Sequence, residues 1–199
     1  MAKMGVRKLV MIAMLAAISY LLMFFQFPIL PTSPFLKLDF SNLPIFISMF
    51  LYGPAAGAFT TLITGLLDFI TKGQGIPGLI GDVAYFLATM CFTLPVYYFF
   101  KRDRTTLKVS RGNMLGGFIT GTISMTIFMS IANVLVLLPM YMKFSGIQIN
   151  ATILNLVATT VVPFNLLKGV LVSIVFLVAY EKLLPWLSRK VLPQQVKKV

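Results

Sequence analysis

Long apolar runs constrain this chain more than any other feature of its sequence. They fall at about 9–27, 43–71, 79–100, 113–142 and 158–188. Each has close to or more than the roughly 20 residues that a helix needs to cross a bilayer core. Because 58% of the residues are hydrophobic and only 11% are charged, with a mean hydropathy of +0.92, an ordinary soluble domain is excluded. The sequence predicts an all-α polytopic membrane protein, with residues 1–199 forming one membrane domain.

The number of crossings depends on the second apolar run. Tyr52-Gly53-Pro54 interrupts that run, because glycine and proline break helices. Splitting it there gives six helices and a long outer loop over 28–42. The six helices are predicted at about 7–27, 43–52, 54–71, 79–100, 112–141 and 158–188. Since the second is only about 15 Å long, we expect it to be buried against its neighbours.

The distribution of basic residues favours six crossings over five. Three basic clusters lie at residues 3–8, 101–111 and 182–198. Six crossings put all three on the cytoplasmic side, as the positive-inside rule requires, whereas five would separate the first two. We therefore predict a multi-pass protein of the cell (plasma) membrane with both termini in the cytoplasm.

Several classes of function lack the residues that they need. The chain has no histidine and only one cysteine, which excludes the usual metal clusters, disulfide frameworks and Cys/His nucleophile pairs. It has no G-x-x-x-x-G-K-[ST] phosphate loop, and its net charge of +12 forms no stripe with interleaved aromatics that would indicate nucleic acid. Asp68 and Asp82 flank the turn after the third helix, where we interpret them as capping or solvating helix ends. We predict no enzyme activity, no catalytic or metal-binding residues and no cofactor.

Polar side chains inside the last two apolar runs indicate a binding site. Asn165 and Lys168 are three residues apart and share a helix face. Pro163 suits the first position of a helix, which would put Lys168 roughly 7–8 Å below the helix start. A lysine at the centre of a membrane helix costs about 2.5–3.5 kcal/mol, so we expect a bound partner for it. Asn133 adds a second amide in the preceding run.

These three side chains suit a flat heteroaromatic ligand. An asparagine can pair with an adjacent C=O and N–H, and a lysine can stabilise a carbonyl that carries partial negative charge. Aromatic residues, 13% of the chain, could stack on the ring. The alternative is that Lys168 extends to the interface while Asn133 and Asn165 hydrogen-bond between helices.

Two small-residue spacings indicate close helix contacts. Ala13-x-x-x-Ala17 lies in the first helix and Gly117-x-x-x-Gly121 in the fifth. Both allow the backbone of another helix to approach closely. For each spacing, the sequence is compatible with contact to a partner protein and with packing inside the bundle.

Four stretches together resemble a known family of membrane proteins. They are Leu38-Asp39-Phe40-Ser41, Tyr52-Gly53-Pro54-Ala55-Ala56-Gly57, Asn133 with Leu137-Leu138-Pro139, and Pro163-Phe164-Asn165-x-x-Lys168-Gly169. This combination resembles the riboflavin-specific substrate-binding component (S component) of energy-coupling-factor (ECF) vitamin transporters. The resemblance covers roughly residues 5 to 188. Asn42 departs from it, because an acid is expected after Phe-Ser.

The resemblance implies a high-affinity riboflavin-binding subunit of an ATP-driven importer, with riboflavin as transported ligand. The residues implied to contact the ligand are Leu38, Asp39, Phe40, Asn133, Asn165 and Lys168. The asparagines and the lysine would hold the isoalloxazine ring, and the loop at Leu38 would cover it. Ala13 and Ala17 would face a transmembrane coupling subunit that carries two ATPases. Delivery would follow from reorientation of the S component in the membrane.

Other functions are compatible with the same residues. One is an S component for a phosphorylated flavin or for another vitamin. Another is a structural membrane protein without a transport role, in which the buried polar residues only hold helices together. A membrane enzyme is disfavoured, because such enzymes commonly gather acids or histidines at one centre.

Overall fold

The computed structural model of the protein describes residues 5–29, 36–101, 109–145 and 152–190, without the side chains of 145 and 182–190. Its helices are α1 (Val6–Met23), α2 (Asn42–Tyr52), α3 (Pro54–Lys72), α4 (Gly75–Lys101), α5 (Arg111–Ala132), α6 (Leu138–Ser145), α7 (Ile153–Leu156) and α8 (Val162–Lys190). π-Helical turns at Asn133–Leu137 and Val157–Val161 join α5 to α6 and α7 to α8 without a break. Two short antiparallel strands, β1 (Phe27–Pro28) and β2 (Lys37–Leu38), lie between α1 and α2.

Five helical stretches of the described chain are long and apolar enough to cross a bilayer. They are Val6–Met23, Pro54–Lys72, Gly75–Lys101, Arg111–Phe144 and Ile153–Glu181. Helix α2 is also apolar but has only 11 residues. The fold is that of an all-α membrane protein, as the sequence predicts.

Helix α3 shows how polar groups are distributed in the bundle. Thr60, Thr61 and Thr64 are fully buried, and each hydroxyl donates to the carbonyl one turn earlier at 2.8 or 2.9 Å. The exposed side of α3 carries large apolar side chains, among them Leu62, Leu66 and Ile70. Because lipid cannot satisfy a hydroxyl, the polar groups turn inward and the apolar ones outward.

The short helix α2 lies in the interior, as expected for a helix that cannot span the bilayer alone. Its Ile45, Phe46 and Met49 have no exposed surface. Gly53 ends the helix with φ of 92°, a conformation that side chains disfavour, and Pro54 then begins α3. The chain therefore turns between α2 and α3 at the Gly-Pro pair.

The last helix differs from the sequence prediction. It begins at Ile153 rather than near residue 158, and Pro163 lies well inside it rather than at its start. A proline inside a helix lacks an N–H and crowds the preceding turn. Here a wider π turn ends at Val161, two residues before Pro163, so that the helix can continue through it. Lys168 consequently lies about 20 Å from the helix start, not 7–8 Å.

Aromatic side chains fill the bundle at the end where α4 is followed by α5. Phe46 and Phe176 have ring centroids 4.4 Å apart, and Phe100 packs edge-on against Phe118 at 5.6 Å. Phe50 completes the group by stacking on Phe176. Offset and edge-on ring pairs of this kind stabilise a core beyond the burial of their area. This end of the bundle is therefore closed by packing.

The Gly117 and Gly121 spacing serves packing within the bundle. A Cβ atom added at Gly121 would lie 2.7 Å from the carbonyl oxygen of Phe92, and one at Gly117 would lie 3.3 Å from the Cα of Val96. Helix α5 therefore approaches the backbone of α4 through these glycines. Of the two open alternatives, internal packing is the one that the structure supports for this pair.

We predict that Gly121→Ala lowers the free energy of unfolding by about 1–3 kcal/mol, because the new methyl group overpacks the contact with α4. Thermal unfolding of the purified protein in detergent would measure the change. Gly112→Ala is the matched control on the same helix, because its Cβ would lie no closer than 3.9 Å to Ser110. Equal melting temperatures for the two variants would contradict the packing role.

Candidate functional site

A partly open cavity of about 300 Å³ lies near the end of the bundle where α3 meets α4. Its walls come from α1, the β2 segment, α3 and α4, from α5 with the first π turn and α6, and from the last helix. Small-molecule sites typically measure roughly 300–1,000 Å³, so the volume suits one compact ligand. Of the predicted site residues, Asp39, Asn133, Asn165 and Lys168 line it.

Lys168 gives the cavity a buried positive charge. The residue is only 8% exposed, and its side chain lines the cavity. Among the described residues it has neither a hydrogen-bonding nor an ion-pair partner. A buried charge without a partner is strongly unfavourable, whereas a charge-assisted hydrogen bond is among the stronger polar contacts. The cavity thus favours a ligand that presents an electron-rich acceptor to Lys168.

Asn133 and Asn165 stand at the same cavity, and each has a fixed orientation. The Asn133 amide donates to the carbonyl of Met129 at 2.7 Å, and the Asn165 amide donates to the carbonyl of Val161 at 2.8 Å. Each amide retains its oxygen and a second N–H for other partners. The two amides and the ammonium group can therefore hydrogen-bond to the edge of a ring on which donors and acceptors alternate.

Both π turns lie beside these asparagines. The first begins at Asn133, and the second ends at Val161, whose carbonyl accepts from Asn165. A π turn widens a helix by one residue and recurs at functional sites. The periodicity of the apolar runs does not predict either π turn, because a π turn and a continuous α-helix have the same apolar sequence pattern.

Asp39 lines the cavity but already has partners of its own. The Ser41 N–H donates to Asp39 Oδ1 at 2.8 Å, and the Ser41 hydroxyl makes a further hydrogen bond to the same oxygen. That hydroxyl also contacts the hydroxyl of Tyr85 on α4 at 2.8 Å, while Ser19 on α1 donates to the Ser41 carbonyl at 2.8 Å. This network fixes the base of the outer loop against α1 and α4.

Leu38 and Phe40 do not line the cavity in the described part of the chain. Leu38 is buried in the main hydrophobic core, and the Phe40 ring lies 6.4 Å from that of Phe27. Leu36 and Lys37 of the same loop do line it. Residues 30–35 of the predicted outer loop lie outside the described residues, and the covering role of Leu38, Asp39 and Phe40 stays a prediction.

The structure adds residues to the cavity that the sequence analysis interpreted differently. Asp68 and Asp82, predicted to cap or solvate helix ends, both line it, as does Tyr141. Asp68 is paired with Lys72 at 2.7 Å. Only residues 73–74 separate α3 from α4, and Asp68 lies four residues before the end of α3 while Asp82 lies seven residues after the start of α4, so that both acids reach the same cavity. The short turn between two helices that each carry an acid was the signal that the sequence offered.

Ala13 and Ala17 lie together on an exposed face of α1. Ala16 and Ser19 point the other way and are fully buried against the bundle. The described residues of the chain do not cover the alanine pair, which distinguishes it from the glycine pair of α5. A second helix could approach the α1 backbone closely here.

We predict that Lys168→Met raises the thermal stability of the ligand-free protein, because it removes an unpaired buried charge. The gain should not exceed about 2.5–3.5 kcal/mol, the cost of a lysine at the centre of a membrane helix. Lys143→Met is the control, since Lys143 is exposed and rests on the Phe144 ring at 5.7 Å. Thermal unfolding in detergent measures the change. If Lys168 had a purely structural role, its loss would lower the stability instead of raising it.

A family model and individual relatives match nearly the whole chain. Residues 7–180 match the model described as the substrate-specific component of ECF transporters. The riboflavin transporter FmnP of Bacillus subtilis (strain 168) is 36% identical over 191 residues, covering 94% of this chain and 97% of the relative. The riboflavin transporter RibU of Staphylococcus aureus (strain TCH60) is 38% identical over 184 residues, covering 92% and 93%.

A solved structure has the same fold. It is described as the S component of a bacterial ECF transporter and is 36% identical in sequence, with a TM-score of 0.74. The match covers 91% of this chain and 97% of the solved one. Sequence and fold therefore agree over the region that contains the cavity.

Proposed function

Because the chain belongs to the family of substrate-specific components of ECF transporters, we propose that it is the riboflavin-binding subunit of an ATP-driven importer. It is a multi-pass protein of the plasma membrane. Riboflavin is suggested by the relatives in Bacillus subtilis and Staphylococcus aureus, both described as riboflavin transporters. The flavin is the transported ligand, and the subunit itself is not an enzyme.

The observation that carries this proposal is that Lys168, unpaired among the described residues, lines the same cavity as Asn133 and Asn165. The isoalloxazine ring has an edge of alternating carbonyl and N–H groups. Asn133 and Asn165 pair with that edge, and Lys168 stabilises a ring carbonyl that carries partial negative charge. Analogues that leave these buried groups unpaired are rejected.

The proposed orientation places the cavity at the outer face. The chain crosses the membrane six times, α2 being the short crossing, and both termini lie in the cytoplasm. Lys101 and Arg111, at the two helix ends opposite the cavity, support this orientation because basic residues flank cytoplasmic ends. The loop at Leu38, Asp39 and Phe40 covers the ring, with the Asp39 network holding its base.

Energy for transport comes from other subunits. The chain has no phosphate-binding loop of its own, and the exposed Ala13 and Ala17 face suits a helix of a transmembrane coupling subunit. Two ATPases bound to that subunit supply the work. The S component then reorients in the membrane and presents its cavity inward.

We predict that Lys168→Met weakens riboflavin binding by at least about tenfold, because a hydrogen bond to a charged group contributes about 1.5–3 kcal/mol. Quenching of flavin fluorescence on titration of ligand-stripped protein measures the affinity. Lys143→Met removes the same charge outside the cavity and should bind as the native protein does. Unchanged binding in Lys168→Met would contradict the assignment of Lys168 to the ring edge.

We also predict that the double variant Ala13→Leu with Ala17→Leu fails to assemble with the coupling subunit while still binding riboflavin. The larger side chains keep a facing helix from approaching α1. Co-purification with the coupling subunit and ATPases measures assembly. Ala158→Leu is the control, because Ala158 is exposed on the last helix. Normal assembly of the double variant would exclude this face as the contact.

A further inference from the structure

We propose that Ser19 is a positioning residue for the bound flavin and that it acts through the base of the outer loop. This inference rests on the proposed function and deepens it. Ser19 lies on α1, has no exposed surface and does not line the cavity. It acts on the ligand through Ser41, which holds two residues of the cavity wall, Asp39 and Tyr85.

The hydroxyl of Ser19 is directed to another segment of the chain instead of to its own helix. A serine or threonine inside a helix can donate to the carbonyl four residues earlier. Thr64 on α3 and Ser173 on the last helix both do so. Ser19 donates to the carbonyl of Ser41 at 2.8 Å, a residue 22 positions away. Because a serine has one O–H donor, this bond uses it, and it joins α1 to the residue that precedes α2.

Ser41 is the residue at which α1, α4 and the outer loop meet. Its N–H donates to Asp39 Oδ1 at 2.8 Å, and its hydroxyl lies 2.8 Å from that of Tyr85. The Tyr85 hydroxyl also interacts with that of Ser19. Ser19 and Ser41 are fully buried, and both Asp39 and Tyr85 line the cavity. A shift of Ser41 therefore moves two residues of the cavity wall.

The bond from Ser19 matters most after the ligand has entered the cavity. Under the proposed function, residues 38–40 cover the ring, and the hydrogen bonds of Ser41 hold the base of that cover. A ligand that approaches from the outer face does not depend on them. Changes within one binding site fall mostly on the dissociation rate. Loss of the Ser19 hydroxyl therefore shortens the lifetime of the bound flavin and leaves the association rate unchanged.

The test compares Ser19→Ala with Thr64→Val in stopped-flow measurements of riboflavin binding to the purified full-length protein. Both variants remove a fully buried hydroxyl at the surface of α1, since that of Thr64 also lies 3.3 Å from the carbonyl of Ala16. Ser19→Ala should raise the dissociation rate constant by about two- to tenfold, as expected for one hydrogen bond, without changing the association rate constant. Thr64→Val should change neither constant, because its bonds do not reach Ser41.

Two further measurements test whether the effect passes through the base of the loop. In a double-mutant cycle with Asp39→Asn, the factor by which Ser19→Ala raises the dissociation rate constant should fall at least about twofold. Hydrogen exchange at the Ser41 amide should be slow in the native protein and faster in Ser19→Ala, because that amide is bonded to Asp39.

Several results would overturn the inference. One is an unchanged dissociation rate constant in Ser19→Ala, and another is an equal increase in Thr64→Val, which would indicate general destabilisation of the bundle. Full additivity in the cycle would show that Ser19 does not act through Asp39. Rapid exchange of the Ser41 amide in the native protein would do so without any variant. Absence of riboflavin binding to the native protein would instead refute the proposed function, while the exchange measurement still tests the contact.

Discussion

An ammonium group held inside a membrane bundle needs an acceptor, and the chain supplies none to Lys168 among the residues described. In water such a group would be solvated, and in lipid it would be expelled toward the interface. Here it is retained beside a cavity with two asparagine amides. The free energy that an unpaired charge costs the empty protein is recovered when a ligand supplies the acceptor. Binding affinity and ligand-free stability are thus opposed at this residue.

The rest of the bundle allows Lys168 to stay unpaired beside the cavity. Buried threonines hydrogen-bond within their own helices, so that the interior can be polar without recruiting the site residues as partners. The aromatic cluster closes the bundle at one end, and Gly117 and Gly121 let α5 pack closely against α4. The two π turns place wider helix segments at the cavity wall. The bundle is thus closed by packing at one end and open as a cavity at the other, which suits a protein that binds a ligand.

The sequence predicted the parts of the site that depend on helix periodicity. Asn165 and Lys168 share a face because they are three residues apart, and the structure places both at one cavity. The prediction that Pro163 begins its helix was wrong, because a π turn before the proline lets the helix continue through it. Helix propensities along the sequence do not predict such a turn. Asp68 and Asp82 were interpreted as helix-end residues, since their juxtaposition follows from the tertiary contact of α3 with α4. Periodicity thus locates side chains on a helix but does not place helices against one another.

One measurement tests the central claim most directly: titration of purified, ligand-stripped protein with riboflavin, followed by fluorescence quenching and by the visible absorption of the bound flavin. The account predicts saturable binding of one riboflavin per chain and a flavin absorption band that remains with the protein through gel filtration. A protein that stays folded, remains colourless and leaves the fluorescence of added riboflavin unquenched would contradict it. In that case the buried ammonium group would belong to the site of a different ligand.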